Sequence, residues 1–478
     1  MKRALLWICL VCLCSGCRSD MDDFQQNVLR FARDGRLDVQ EHRQLVNFAK
    51  ASGDRRFRAL CYTGQHFDEA RLDNYLRKFL ASHDLSATVI LEKPAGVKPF
   101  GVEVYLENSA SMDAYVNGPT RFKDDIYALL GDISLSRSCS SLGLHYINSS
   151  ITYTKDNAGP GDIRSFIQTL TPATFRKRGG DRSSSDLRQV LQSVLDGINS
   201  QRAAILISDF VFSPGKRVNA GDYLNNERIG IKMAFAGKMQ AYGLSLLVLQ
   251  CYSNFKGYYY DAADRPVKLT ADRPFYVWVM GSDEQLGVLL KQGVLGSIRT
   301  VAANQVLLRT VSAPSPAGYK ILYDGRIGTF SLRQGAQGPL SNAEPAGSGR
   351  NAGRFSFRLD ADFSSTLQDS AFFNDSSHYE LNNGYRLSVR PVADPGYTHQ
   401  LTLTTVTPRE EQIHIAVRNR LPAWVLASAS ENDAGIAARS DEQKRTFGLK
   451  YLLGGVFDAF YPLGQHDTIC RLDIEIKK

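Results

Sequence analysis

Val104-Tyr105-Leu106-Glu107-Asn108-Ser109-Ala110-Ser111-Met112 is the stretch from which the fold is read. An apolar run that opens at Phe100 stops at Glu107, and a short unbroken apolar run bounded by turn-forming residues is the pattern of a buried strand. Beyond it, one acid and two serines at alternate positions place three oxygen groups, Glu107, Ser109 and Ser111, on a single loop. Oxygen donors without sulfur or imidazole suit a hard divalent cation such as Mg²⁺, which keeps several of its waters.

Working outward, the chain alternates strand and helix for about two hundred residues. Phe122–Ile133, Ile163–Leu170 and Leu187–Ile198 have helical periodicity, and a long helix follows near Ile229–Tyr242. Leu144–Tyr153, Ala203–Asp209, Leu244–Gln250 and Phe275–Met280 read as strands. Such alternation predicts a mostly parallel sheet covered on both faces, with ligands bound beyond the carboxyl ends of its strands.

The Glu107-x-Ser109-x-Ser111-Met112 run resembles the metal-ion-dependent adhesion site of von Willebrand factor A domains, whose pattern is D-x-S-x-S. The resemblance covers 100–293. The family's second element, a Thr in a Gly-rich loop ahead of a helix, is matched by Gly179-Gly180-Asp181-Arg182-Ser183-Ser184-Ser185-Asp186-Leu187, with Ser185 as the aligned hydroxyl and Ser184 as runner-up. The third, an Asp closing the central strand in T-D-G, is matched by Ser208-Asp209-Phe210. The resemblance implies a Mg²⁺ or Mn²⁺ ion touched by Ser109, Ser111 and Ser185, with Glu107 and Asp209 holding its waters. Three departures bear on this: Glu107 stands for Asp, Ser185 for Thr and Phe210 for Gly. Glu107 is longer by one carbon–carbon bond, about 1.5 Å, which carries its carboxylate further into the site. Two readings therefore stay open, an occupied ion site and a retained fold whose loop binds nothing.

At the N-terminus, Met1-Lys2-Arg3 is followed by an apolar run from Ala4 to Leu13 and by Ser15-Gly16-Cys17, the pattern of a secretory signal. Leu13-Cys14-Ser15-Gly16-Cys17 resembles the lipobox of bacterial lipoproteins, with Cys14 in place of the usual Leu. That resemblance implies cleavage, acylation of Cys17 and attachment to a membrane without a spanning helix. Arg18-Ser19-Asp20-Met21-Asp22-Asp23 resembles the acidic export tag of some Bacteroidota lipoproteins, which implies an outer-membrane location on its periplasmic or outer face. Of eight cysteines, four remain after processing: Cys61, Cys139, Cys251 and Cys470. Their scatter matches no C-x-x-C motif, leaving them as disulfide candidates or buried structural thiols.

Residues 18–93 read as a helical spacer, a degenerate helix–loop–helix in which Asp34, Asp38 and Glu41 cap helices and hold no calcium. Residues 298–478 read as a β-rich, sandwich-like region with one late helix, and Gln334–Gly353 as a solvent loop. The predicted fold class is multidomain α/β plus β: a short helical region, a doubly wound parallel-sheet domain and a C-terminal sandwich. Its 478 residues admit two to four domains at roughly 100–200 residues each. The net charge of +8 is spread along the chain with no basic block, so no nucleic-acid partner is expected. The G-x-S-x-G, P-loop, G-x-G-x-x-G and H-E-x-x-H motifs are missing from the sequence, and no enzyme is expected. The expected function is a lipid-anchored envelope protein for adhesion or scaffolding that captures a protein partner. The alternatives are a metal-free structural component and a metal-assisted hydrolase using Glu107 and Asp209.

Overall fold

The computed structural model describes residues 19–477 except 33–35, 38, 53, 64–65, 84–89, 92–97, 183–185, 217, 311–314, 333–335, 337, 367, 369, 382–383, 395, 410 and 463–466. The signal segment with Cys17, as well as Asp34, Asp38, Ser184 and Ser185, lies outside the described residues. The chain divides into two compact units, one of Met1–Gly96 with Ala393–Gly396 and the other of Val97–Val392 with Tyr397–Lys478.

In the first unit, α1 (Asp20–Phe31), α2 (Val39–Ala51), α3 (Arg55–Cys61) and α4 (Glu69–Ala81) bury Phe24, Val28, Leu45, Phe57, Leu72 and Leu76 against one another. The Ser19 hydroxyl and the Asp22 carboxylate close a reciprocal cap that meets the backbone needs of the first turn of α1.

The second unit is built on a seven-stranded sheet. Its strands are β1 (Phe100–Glu107), β2 (Cys139–Ile147), β3 (Ile151–Lys155), β4 (Arg202–Ser208), β5 (Ser245–Tyr260), β6 (Pro266–Gly281) and β7 (Asn304–Arg309), in the order β7-β5-β6-β4-β1-β2-β3. The centre β2-β1-β4 is parallel, and every other pairing is antiparallel. Strands β1 and β4 are nearly all buried, which is why they read as unbroken apolar runs and not as alternating ones. Helices pack in two groups. One comprises α5 (Arg121–Leu135), α6 (Pro160–Gln168) and α9 (Gly296–Val301), and the other α7 (Leu187–Gly197), α8 (Ala220–Ala241) and α10 (Leu449–Phe460).

Four features depart from the sequence expectation. The single strand expected at Leu144–Tyr153 is broken at 148–150 into β2 and β3, which pair antiparallel. The strands expected at Leu244–Gln250 and Phe275–Met280 are the inner halves of a sixteen-residue-per-strand hairpin, and β6 inserts antiparallel between β4 and β5. The sheet is therefore mixed, parallel at its centre only. Val306–Arg309, read as sandwich, lies in β7 and completes the α/β sheet, so the sandwich begins after that strand and not at 298. The late helix α10 belongs to the α/β core as well: Leu449, Leu452, Leu453 and Val456 are fully buried in the same cluster as Ile231 and Phe235 of α8.

The sandwich itself is formed by β8 (Gly318–Ile327), β9 (Thr329–Leu332), β10 (Leu340–Glu344), β11 (Phe355–Asp362), β12 (Tyr379–Leu381), β13 (Arg386–Asp394), β14 (Tyr397–Thr405), β15 (Glu411–Arg418) and β16 (Thr468–Lys477). One sheet has the order β9-β10-β16-β15-β12 and the other β8-β11-β14-β13. Phe357, Leu359, Leu401, Leu403, Ile413, Ile415, Leu472 and Ile474 fill the space between them. Strand β10 falls inside Gln334–Gly353, so that stretch is not wholly a loop. Cys61, Cys139, Cys251 and Cys470 are all free thiols, and the disulfide expectation is corrected accordingly. Burial pushes the thiols of Cys251 and Cys470 up to about 12, which makes them poor nucleophiles. Among the described residues no helix is long and apolar enough to cross a membrane.

Candidate divalent-cation site at the ends of the central strands

Strand order reverses at β1: β2 lies on one side of it and β4 on the other. At such a switch point the loops leaving β1 and β4 diverge, opening a crevice beyond their carboxyl ends. Glu107 ends β1 and Asp209 follows β4 directly, so the topology brings the two acids to that crevice. Both are almost wholly buried, as is Ser109, while Ser111 is half-buried at the start of a 3-10 turn through Tyr115.

The loop is held by groups that sequence reasoning did not single out. Asn108 donates from Nδ2 to the Phe175 carbonyl at 3.2 Å and accepts at Oδ1 from Asn148 Nδ2 at 3.0 Å. Arg182 donates from Nε to the Asn108 carbonyl at 2.6 Å and from Nη2 to the Ser109 carbonyl at 3.1 Å and Asp113 Oδ1 at 2.5 Å. The Arg182 carbonyl in turn accepts from the Ala110 N–H at 3.0 Å. A planar guanidinium presents its donors in fixed directions and so holds these acceptors in one geometry, whereas the ammonium of a lysine is a rotatable point charge. Replacing Arg182 with methionine is expected to unfasten the loop and weaken ion binding at least about tenfold. Thermal stability should fall by no more than about 1–2 kcal/mol, as titration calorimetry and thermal unfolding of the same variant would show.

The Ser109 and Ser111 hydroxyls are 3.0 Å apart. Asp209 accepts at Oδ1 from the Val211 N–H at 3.3 Å, while its Oδ2 is buried without a hydrogen-bond partner. Burial, and then the negative charge of Glu107, push the Asp209 carboxyl up to about 7, opposed by the charge of Arg273 and by hydrogen bonds from the Ser111 side chain and the Val211 N–H. The Glu107 carboxylate is engaged by the Ser208 hydroxyl, which also accepts from the Phe210 N–H at 2.8 Å. Phe210, where the resemblance has Gly, has φ of 50°, a left-handed conformation that a bulky residue adopts only under compensation. Its fully buried ring stacks on Trp278 at 4.5 Å and 22°, which supplies that compensation.

No protein-family profile matches this chain, and no curated protein matches it. Among solved structures, the chain is similar to an aerotolerance-related membrane protein from Bacteroides fragilis NCTC 9343 with multiple mutations to serines. The identity is 13%, the coverage 36% of this chain and 81% of that one, and the TM-score 0.24.

Of the predicted ligands, Glu107, Ser109, Ser111 and Asp209 are brought together at one end of the sheet, and Ser185 lies outside the described residues. The donors are two hydroxyls and an orphaned carboxylate oxygen, with no cluster of three or more His, Cys, Asp or Glu among the described residues. This set fits a hard, partly hydrated cation and does not fit zinc or a redox metal. Arg273 is the further residue that the sequence did not reveal. It stands in mid-strand and is fully buried.

Proposed function

We propose that this protein is a lipid-anchored binding or scaffolding component of a bacterial cell envelope. Cys17, once acylated, would hold it on the outer membrane, and the α/β domain would capture a protein partner at the ends of β1 and β4. Ser109, Ser111 and Ser185 would touch a Mg²⁺ or Mn²⁺ ion, with Asp209 and Glu107 behind its waters, and a carboxylate of the partner would take the open position. The observation that carries this reading is the buried, unpartnered Oδ2 of Asp209 beside the paired hydroxyls of Ser109 and Ser111. A buried acceptor left unpaired costs about 1–3 kcal/mol, more when charged, and a cation removes that cost. The reading is non-catalytic, because Glu107 is tied to the Ser208 hydroxyl and so does not stand free as a base.

Calorimetric titration of Mg²⁺ into the protein is expected to show one site, lost on Ser109→Ala. Chelator is expected to abolish capture of the partner from membranes. Absence of binding up to tens of millimolar would reject the ion. A second reading, a metal-free structural component, is favoured by one observation: Arg273 already places a fully buried positive charge in the same cluster.

A further inference from the structure

Strand pairing places Arg273 next to the site. Tyr276 of β6 pairs with Ser208 of β4, so Arg273, three residues earlier on β6, flanks the segment that Asp209 begins. Its surroundings are specific. Nη1 donates to the Gln443 carbonyl at 3.0 Å and Nη2 to the Arg445 carbonyl at 3.4 Å, and the guanidinium lies 4.4 Å from the ring centre of Tyr259 and 5.6 Å from that of Phe255. Its Nε has no hydrogen-bond partner, just as Asp209 Oδ2 has none. The side chain is entirely excluded from solvent. Two opposite charges are therefore enclosed in one cluster, each with a polar atom unsatisfied.

A charge buried this completely persists only where something balances it. The two carbonyls and the two aromatic faces hold the guanidinium in place, but they carry no net charge. The net negative charge near it belongs to Asp209, and behind that to Glu107. A divalent cation bound at Ser109, Ser111 and Asp209 would meet a fixed positive charge in a medium where charges are poorly screened.

We propose that Arg273 is a built-in counter-cation of this site: it balances the buried acids without metal and sets a weak, readily reversible affinity for the divalent ion. This inference rests on the ion-binding reading above and assigns its regulation. Because the guanidinium is anchored on the carbonyls of Gln443 and Arg445, that affinity is tied to the C-terminal segment that packs on the α/β sheet. Partner capture would then follow changes in free Mg²⁺ in the millimolar range, and the ion would not be held permanently.

The test is calorimetric titration of Mg²⁺, and separately Mn²⁺, into the full mature chain and its Arg273→Met and Arg273→Lys variants, with thermal unfolding of each in chelator and in 10 mM Mg²⁺. Arg273→Met should bind Mg²⁺ at least about tenfold more tightly than the unaltered chain. It should also melt lower in chelator and recover most of that loss in Mg²⁺. Arg273→Lys, which keeps the charge and loses the fork, should keep the weak affinity even where it is less stable. Equal Mg²⁺ affinity in the unaltered chain and Arg273→Met overturns the role of Arg273 and leaves the ion site standing. Binding by Arg273→Met alone upholds the counter-cation and rejects an ion in the unaltered chain. Binding by none of the three, or tightening by Arg273→Lys equal to that by Arg273→Met, overturns the proposal. If Arg273→Met fails to fold in chelator, refolding on addition of Mg²⁺ supports the proposal, and failure to refold overturns it.

Discussion

Asp209→Asn is expected to stabilise the metal-free protein by about 2–4 kcal/mol at pH 8 while abolishing Mg²⁺ binding. The folded carboxyl sits at about 7, raised by burial and by Glu107 from an ordinary value near 3.8. Between those two values the folded chain binds more protons than the unfolded one, so in chelator stability falls as pH rises from about 4 to about 7. Above that window the cost is present in full. Three pH units at about 1.4 kcal/mol each set its upper bound near 4 kcal/mol. Asparagine has nearly the same shape and no charge to desolvate. Its gain falls short of the bound because Arg273 then loses part of its counter-charge. Denaturant unfolding from pH 4 to pH 8 in chelator measures this directly: a slope equal in the variant and the unaltered chain would show that Asp209 is not the titrating group. On the proposed function the same substitution separates stability from ion binding, since the carboxylate whose burial is costly is the one proposed to hold the waters of the ion.

The second large effect concerns the segment from Leu421 to Pro462, which leaves the sandwich after β15 and returns to it at β16. Leu453 is fully buried where α10 packs on α8, and Leu453→Ala should cost about 2–5 kcal/mol through lost burial and the cavity left behind. Gly455 permits the approach of these helices: a Cβ there would lie 2.5 Å from the Arg228 carbonyl oxygen, so an alanine would force the helices apart. Residues 97–310 expressed alone should accordingly lack fixed tertiary structure, with weak near-ultraviolet dichroism and poor spectral dispersion. The same fragment joined to 421–462 should regain both. A cooperatively folding 97–310 would show that the α/β sheet does not need its C-terminal helix.

Much of the site was legible because its residues are close in sequence. Glu107, Ser109 and Ser111 occupy one loop, and a strand with both faces covered announces itself as an unbroken apolar run, as Phe100–Glu107 and Ala203–Ser208 do. The outer half of the long hairpin carries a two-residue signal of its own. From Ser253 to Tyr259, Ser253, Phe255 and Tyr259 are buried while Asn254, Lys256 and Tyr258 are exposed, the two-residue period of a strand with one wet face. Tyr258-Tyr259-Tyr260 divides along that period. Tyr259 donates to Asp433 Oδ2 at 2.7 Å from inside, and Tyr258 faces solvent.

Local sequence determined the parallel centre of the sheet, the order of the site loops and the oxygen chemistry of their residues. Each of these depends on periodicity or spacing over ten or twenty residues, which backbone geometry translates directly into strand, helix and turn. Tertiary structure alone decided that β6 lies between β4 and β5, that α10 completes a core begun more than two hundred residues earlier, and that Arg273 is enclosed beside Asp209. The physical reason is the same in all three. Burial and charge pairing depend on what a distant segment brings to a surface, and an arginine between an aspartate and a proline has the same local sequence whether water or a buried acid faces it.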